Sequence, residues 1–308
     1  MPGNIILEPK NIISTLEKKD EIIFGPFLGE LGWEIMRWSA FVRMFAKKHP
    51  KKRIIVSTRY DRRDLYHGVT NEFDLFNIEN DYSSFAPNCY ASTPIISQDL
   101  FNTMTEDLKA KYPKAYMFEP YAYTCKRDIF DFSYMDFDFQ EKDNNRIIIE
   151  QILKTHSKGK IPIVLCSRNR IDMQFRNWGA HNWKTLCDMI QNQDKYFVFV
   201  SGKTPSYYKS VDRTSFINLE DLVSTELDTS LIGLTISAIR HSKLTIGVQT
   251  GTIILSNLIG TPTLFWGNEV KRHAELENPK KTKSIGINDR TYTSTPIKIF
   301  TELNNFFS

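Results

Sequence analysis

"KLTIGVQTGTIILSNLIGTPTLFWG", residues 243–267, contains two short apolar runs, 243–246 and 262–266, separated by a segment at 251–259 with helical spacing. An apolar run, a Thr-Gly turn, a helix and a second apolar run make the pattern of two parallel strands joined by a crossover helix. The same alternation extends outward from this stretch. It predicts strands at 161–166, 195–200 and 215–218, helices at 180–191 and 229–241, and a final helix at 294–307. Strands covered on both faces read as continuous apolar runs, as these do. The second half therefore predicts a doubly wound α/β domain.

The first half opens with a related pattern, "EIIFGPFLGELGWEIMRWSAFVR" at 21–43. It predicts a strand at 21–25, a glycine-rich loop, a helix at 31–48 and a strand at 53–58. Residues 61–140 are rich in aromatics and turn formers, and only short strands near 73–78 and 114–119 are legible there. "FDFSYMDFDFQEKDNN", 130–145, interrupts the alternation and reads as a linker before a helix at 145–156. The expected architecture is two Rossmann-like domains, 1–145 and 146–308.

Bulk properties fit that size. A chain of 308 residues is long for one domain, and 41% hydrophobic content with 13% aromatics supplies cores for two. A net charge of +4 permits an anionic ligand without demanding nucleic acid. The four cysteines, Cys89, Cys125, Cys166 and Cys187, form no CxxC pair and read as incidental thiols suited to a reducing compartment. No stretch resembles a signal peptide or approaches a membrane span, so the expectation is a soluble cytoplasmic protein.

Ligands of such sheets bind beyond the carboxyl ends of the strands. After 161–166 stand Ser167 and Arg168, then Arg176, Asn177 and Trp178 before a helix. Arginine presents a planar fork of donors that suits phosphate oxygens. After 195–200 come Ser201, Gly202 and Lys203. Their "GKT" is not a P-loop, because Phe197 stands where that motif needs glycine. After 243–246, Thr250, Gly251 and Thr252 open a helix, either as a phosphate-holding turn or as an ordinary N-cap. After 262–266, Glu269 and His273 are placed to meet a ribose or sugar.

With these residues in view, the second half resembles the nucleotide-binding domain of GT-B glycosyltransferases, most closely the heptosyltransferase-like family. The resemblance rests on "RNW" at 176–178, "QTGT" at 249–252 and "GTPTLFWG" at 260–267, and covers about residues 160–275. Two departures stand out. Gln249 replaces an acidic or small residue, and the helix after it lacks the family's histidine, with apolar residues such as Ile254 there instead. In the first half, Gly29-Glu30 matches the Gly-Asp whose acid serves as the family's catalytic base.

The resemblance implies a GT-B fold, with two Rossmann-like domains facing across a cleft and the last helix crossing back. It also implies sugar transfer from a nucleotide-sugar donor to an acceptor hydroxyl, inverting and without a resident cofactor. The acceptor must lose a proton and the departing diphosphate must be stabilised. Glu30 is the expected base, with Glu34 one helical turn on as its reserve. The alternative for Glu30 is favourable interaction with the helix dipole. Gly29 and Trp33 read as acceptor contacts.

Arg59, Arg62 and Arg63, in "TRYDRRDLY" at 58–66, hint at an anionic acceptor: a phosphorylated glycan, a lipid-linked saccharide, or DNA as in phage enzymes of this fold. "KKHPKKR", 47–53, should lie at the opposite end of the sheet as solvated surface. Asp136 and Asp138 spell an Asp-x-Asp, but three residues among many acids are a weak metal motif, so metal-independent chemistry is expected. A non-catalytic nucleotide-binding module and a sugar-nucleotide epimerase are the competing readings.

Overall fold

The computed structural model describes residues 9–29, 31–77, 98–119, 132–168, 174–202, 215–276 and 278–308. The chain divides into two compact units, 1–140 and 141–308.

In the amino-terminal unit, α1 (Pro9–Glu17) precedes β1 (Glu21–Phe24). Helix α2 follows, comprising Leu31–Trp33 and Ser39–Lys48 on either side of a wide π turn, Glu34–Trp38. Then come β2 (Arg53–Arg59), a 3-10 segment (Tyr60–Tyr66), β3 (Glu72–Phe76), α3 (Gln98–Lys111) and β4 (Tyr116–Phe118). The strands form one parallel sheet in the order β3-β2-β1-β4, with Ile22 beside Ile54 and Tyr116.

Aromatic residues at helical spacing on α2 determine how it packs. Trp38, Phe41 and Phe45 place their ring centroids 6.0, 6.3 and 5.7 Å from Phe24 of β1, and Trp38 stacks on Phe118 of β4 at 5.7 Å. Such pairs add specific geometry to the apolar area they bury.

The segment 132–140 is not a free linker. Phe139 is fully buried under the Arg43 guanidinium, 5.0 Å from its ring, and the Asp136 amide donates to the Ala40 carbonyl. Asp136 also pairs with Lys47 at 3.2 Å and accepts from the Asp138 amide, so both acids of the Asp-x-Asp sit within this strap. The basic run 47–53 is partly tied down as well. Lys52 donates to the carbonyls of Glu17 and Lys19, and Arg53 bridges Glu21 and Glu72.

The carboxy-terminal unit opens with α4 (Asp143–Ile152), which runs into a π turn at Leu153–Ser157. It continues with β5 (Ile161–Cys166), α5 (Ala180–Asn192), β6 (Tyr196–Ser201), β7 (Phe216–Asn218) and α6 (Leu231–Arg240). It ends with β8 (Leu244–Val248), α7 (Gly251–Ile259), β9 (Thr263–Gly267), β10 (Ser284–Asn288) and α8 (Pro296–Phe306). All six strands are parallel, in the order β10-β9-β8-β5-β6-β7. Counted from β5, this is the 3-2-1-4-5-6 arrangement of a doubly wound dinucleotide-type sheet, whose topological switch point falls between β5 and β8.

A cluster of three tryptophans anchors one face of the sheet: Trp178 lies 4.9 Å from Trp183 and 4.7 Å from Trp266, centroid to centroid. Helix α8 completes that face, with Ile299 and Leu303 fully buried beside Trp183 and Leu186. Cys166 and Cys187 are buried free thiols, and burial pushes their pKa values up, Cys187 to about 12. Cys89 and Cys125 lie outside the described residues.

Candidate functional site

Each unit gathers polar side chains at the carboxyl ends of its central strands. In the carboxy-terminal unit the gathering lies at the switch point. Ser167 and Arg168, 7% and 6% exposed, directly follow β5. Arg168 donates from Nη1 to Asn177 Oδ1 at 2.5 Å, which joins the loop after β5 to the approach of α5. Ser201 at the end of β6 shares a hydrogen bond with Thr235 on α6, and its carbonyl accepts from the Ser167 amide at 3.0 Å. Gly202 follows at φ +100°, and a Cβ there would lie 2.4 Å from the Ser167 carbonyl oxygen, so this turn requires glycine for its own backbone. Trp178 is turned inward, its indole nitrogen donating to the Ser294 carbonyl at 2.7 Å.

The organising residue is one that sequence reasoning treated only as a departure from a family pattern. Gln249, 3% exposed, follows β8. Its Oε1 accepts from the Glu269 amide at 3.1 Å and from the Tyr292 hydroxyl at 3.3 Å. Its Nε2 reaches Glu269 Oε2 at 3.3 Å and His273 Nε2 at 2.6 Å. The backbone amide of Glu269 can only donate, so Oε1 faces it and the amide group faces His273. His273 Nε2 is then the acceptor, and the ring proton sits on Nδ1. The Gln249 carbonyl accepts from Arg176 Nη2 at 2.9 Å, and the Arg176 guanidinium lies over the Tyr292 ring at 5.6 Å.

Glu269 also pairs with Arg272 at 3.2 Å, and the single Tyr292 hydroxyl hydrogen is shared between Gln249 Oε1 and the closer Asn268 Oδ1 at 2.9 Å. Tyr292 enters from a loop held by Asp289, which accepts from Thr291 and from the Ser294 amide. Gly267 makes room for the hub, since a Cβ there would stand 2.5 Å from Gln249 Oε1. Asn268 and Tyr292 could have been suspected only from their position after β9 and β10.

Thr250 caps α7 in an extended conformation, but its hydroxyl makes no capping bond; its Oγ1 is buried without a partner among the described residues. The amino end of α7, from Gly251 and Thr252, thus adjoins Arg176 and Gln249. Lys203 lies outside the described residues.

Gln249→Leu keeps the volume but leaves the Glu269 amide, the Tyr292 hydroxyl and His273 without this partner. It is expected to cost about 1–3 kcal/mol of unfolding free energy, read from urea titration.

In the amino-terminal unit, Glu34 opens the π turn of α2 and is completely buried. Its Oε1 accepts from Thr58 Oγ1 at 2.8 Å and from the Tyr66 hydroxyl at 2.7 Å, and its Oε2 accepts from Arg62 Nη1 at 2.8 Å. Burial raises the Glu34 carboxyl above its ordinary range against the opposing pull of Arg62, and raises the Tyr66 hydroxyl well above its own. Arg62 Nη1 also donates to the Gly29 carbonyl at 2.7 Å.

The three arginines at and beyond the end of β2 are all matched by carboxylates. Arg59 makes a two-pronged pair with Asp61, Arg62 meets Glu34, and Arg63 meets Asp64 at 3.3 Å. Trp33 is 7% exposed, with the Arg37 guanidinium 4.4 Å from its ring. Glu30 lies outside the described residues. Among the described residues, no group of three or more His, Cys, Asp or Glu is placed to hold a metal ion, and no helix is long and apolar enough to cross a membrane.

No protein-family model matches the sequence, and no curated protein matches it either. Solved structures do. The glycosyl transferase family 9 structure from Veillonella parvula DSM 2008 matches 93% of this chain and 97% of its own at a TM-score of 0.59 and 11% identity. The ADP-heptose lps heptosyltransferase II of E. coli matches 93% of this chain and 98% of its own at a TM-score of 0.55 and 12% identity. The chain has the α/β, GT-B-type fold of these proteins, with a Rossmann-like parallel sheet in each unit.

Proposed function

We propose that the protein is a glycosyltransferase that moves a sugar from a nucleotide diphosphate to an acceptor hydroxyl. The observation that carries the reading is the gathering at the switch point between β5 and β8, where Arg176 meets the Gln249 backbone carbonyl just before the amino end of α7 and Arg168, at the end of β5, meets the neighbouring Asn177. Guanidinium groups and helix-start amides are the donors a diphosphate leaving group needs. Asn177, Ser167, Ser201, Gly202 and Lys203 complete the donor loops in this reading, and Glu269 and His273 meet the ribose or sugar.

Glu30 takes the acceptor proton as the new glycosidic bond forms. A base on the acceptor in a single displacement gives inversion at the anomeric carbon. The positive charge comes from the protein's own arginines and helix start, so transfer is expected to persist in EDTA. We read the acceptor as anionic, recognised by Arg59 and Arg63 once they exchange Asp61 and Asp64 for it, with Gly29 and Trp33 beside Glu30 in sequence.

The test is a thermal-shift panel of ADP-, UDP-, GDP-, CMP- and dTDP-sugars, followed by turnover of whichever stabilises the fold. A ligand that binds only the native state at a hundredfold excess over its Kd stabilises it by about 2.7 kcal/mol. ADP-sugars belong in the panel because the E. coli structure of this fold is named for ADP-heptose. Stabilisation without turnover, with any acceptor or by hydrolysis, would reduce the reading to a nucleotide-binding module. Release of an epimerised sugar without an acceptor would replace it with an epimerase.

A further inference from the structure

We infer that Arg62, gripped by Glu34, is a positioning residue for the turn that carries residue 30; this rests on the glycosyltransferase reading, with Glu30 as proton acceptor. A single nitrogen makes the link. Arg62 Nη1 carries two hydrogens and donates one to the Gly29 carbonyl at 2.7 Å and the other to Glu34 Oε2 at 2.8 Å. The Gly29 carbonyl and the amide of residue 30 share one peptide plane, so a donor that fixes the first fixes the plane from which residue 30 departs. Glycine itself restrains that plane less than any other residue does.

The grip is itself anchored. Arg62 is 4% exposed and Glu34 is fully buried. Thr58 at the end of β2 and Tyr66 at the end of the 3-10 segment hold the other Glu34 oxygen. A charge-assisted bond to a backbone carbonyl, backed by a buried carboxylate, is both strong and directional. The cluster therefore has two separable halves: Thr58 and Tyr66 hold Glu34, and only Arg62 reaches the turn. Glu34 acts here through Arg62, with both of its oxygens already occupied.

The separation supplies the test. Three variants, Arg62→Met, Arg62→Lys and Tyr66→Phe, are compared well below their melting temperatures with the donor found in the panel. Misplacement of a reacting group by about an ångström costs on the order of a hundredfold in rate, so Arg62→Met should lose about that much kcat with donor KM unchanged. Arg62→Lys should recover part of it, because one ammonium nitrogen can serve both acceptors. Tyr66→Phe should lower the melting temperature and keep wild-type kcat. Backbone hydrogen exchange over 24–38 should accelerate in Arg62→Met and not in Tyr66→Phe.

A folded Arg62→Met with wild-type kcat, or a Tyr66→Phe that loses as much kcat as Arg62→Met, would overturn the inference. Should Arg62→Met fail to fold, Arg62→Gln takes its place under the same criteria. Failure of the parent reading looks different: the wild type would turn over no donor, or Glu30→Gln would be fully active. Hydrogen exchange alone then decides whether Arg62 holds the turn, and unchanged exchange in the Arg62 variant would show that it does not.

Discussion

Glu30→Gln is expected to lower transfer by about 10²–10⁴-fold while leaving the donor-induced rise in melting temperature intact, because in the proposed reading it deletes the general base and nothing that holds the donor. The amide keeps the size and hydrogen-bonding capacity of the side chain but cannot take the acceptor proton. The measurement has two arms. Steady-state transfer should fall in kcat with little change in donor KM, the signature of an interaction used only in the transition state. Donor titration by thermal shift should superimpose on wild type. Full activity would remove Glu30 from the mechanism. A lost donor shift would instead assign it to donor binding. Either outcome is informative because the donor residues proposed here come from a different unit of the chain.

Glu34→Ala is expected to destabilise the fold by about 3–5 kcal/mol, the range for removing one partner of a buried ion pair. Total stabilities of about 5–15 kcal/mol are usual, so this is a large share. The cost falls on what remains: Arg62 stays buried with one acceptor fewer, and Thr58 and Tyr66 lose theirs. The intact pair contributes little by itself, since burial already raises the Glu34 carboxyl. Replacing both members, Glu34→Leu with Arg62→Leu, should therefore recover part of the loss.

The pH dependence follows from the direction of that shift. A carboxyl whose pKa is raised in the folded state binds its proton more tightly there than in the unfolded chain. Its contribution to stability is full below the ordinary value of 4.5 and is lost as pH rises through the folded value. The stability difference between wild type and Glu34→Gln should shift toward wild type as pH falls through that window. Chemical denaturation of the pair across pH measures it.

Strands β5, β8 and β9 and helix α7 were legible almost to the residue. Each is a short apolar run or helical repeat bounded by Gly, Pro or a polar turn. Helix α3 was missed although Phe101, Thr105 and Leu108 face inward at helical spacing, because the aromatic-rich surroundings of 61–140 hid so sparse a stripe. Strand β10, "SIGIN", is a partly buried edge strand with a central glycine, and its pattern carries too few apolar residues to register. The segment at 130–145 read as a linker because it is polar between its aromatics. Phe137 and Phe139 are nonetheless buried, and contacts to Ala40, Arg43 and Lys47 hold 136–139 against α2.

The site divides in the same way. That Arg168, Ser201 and Thr250 stand just beyond strand ends follows from local apolar periodicity, which lies along the chain and can be read from it. That Gln249 joins Glu269, His273 and Tyr292, or that Glu34 meets Thr58, Arg62 and Tyr66, could not be read there. Those partners come from loops after different strands. The order and register of a parallel sheet decide which loops become neighbours, and a polar side chain commits to a partner only once burial has removed water as the alternative.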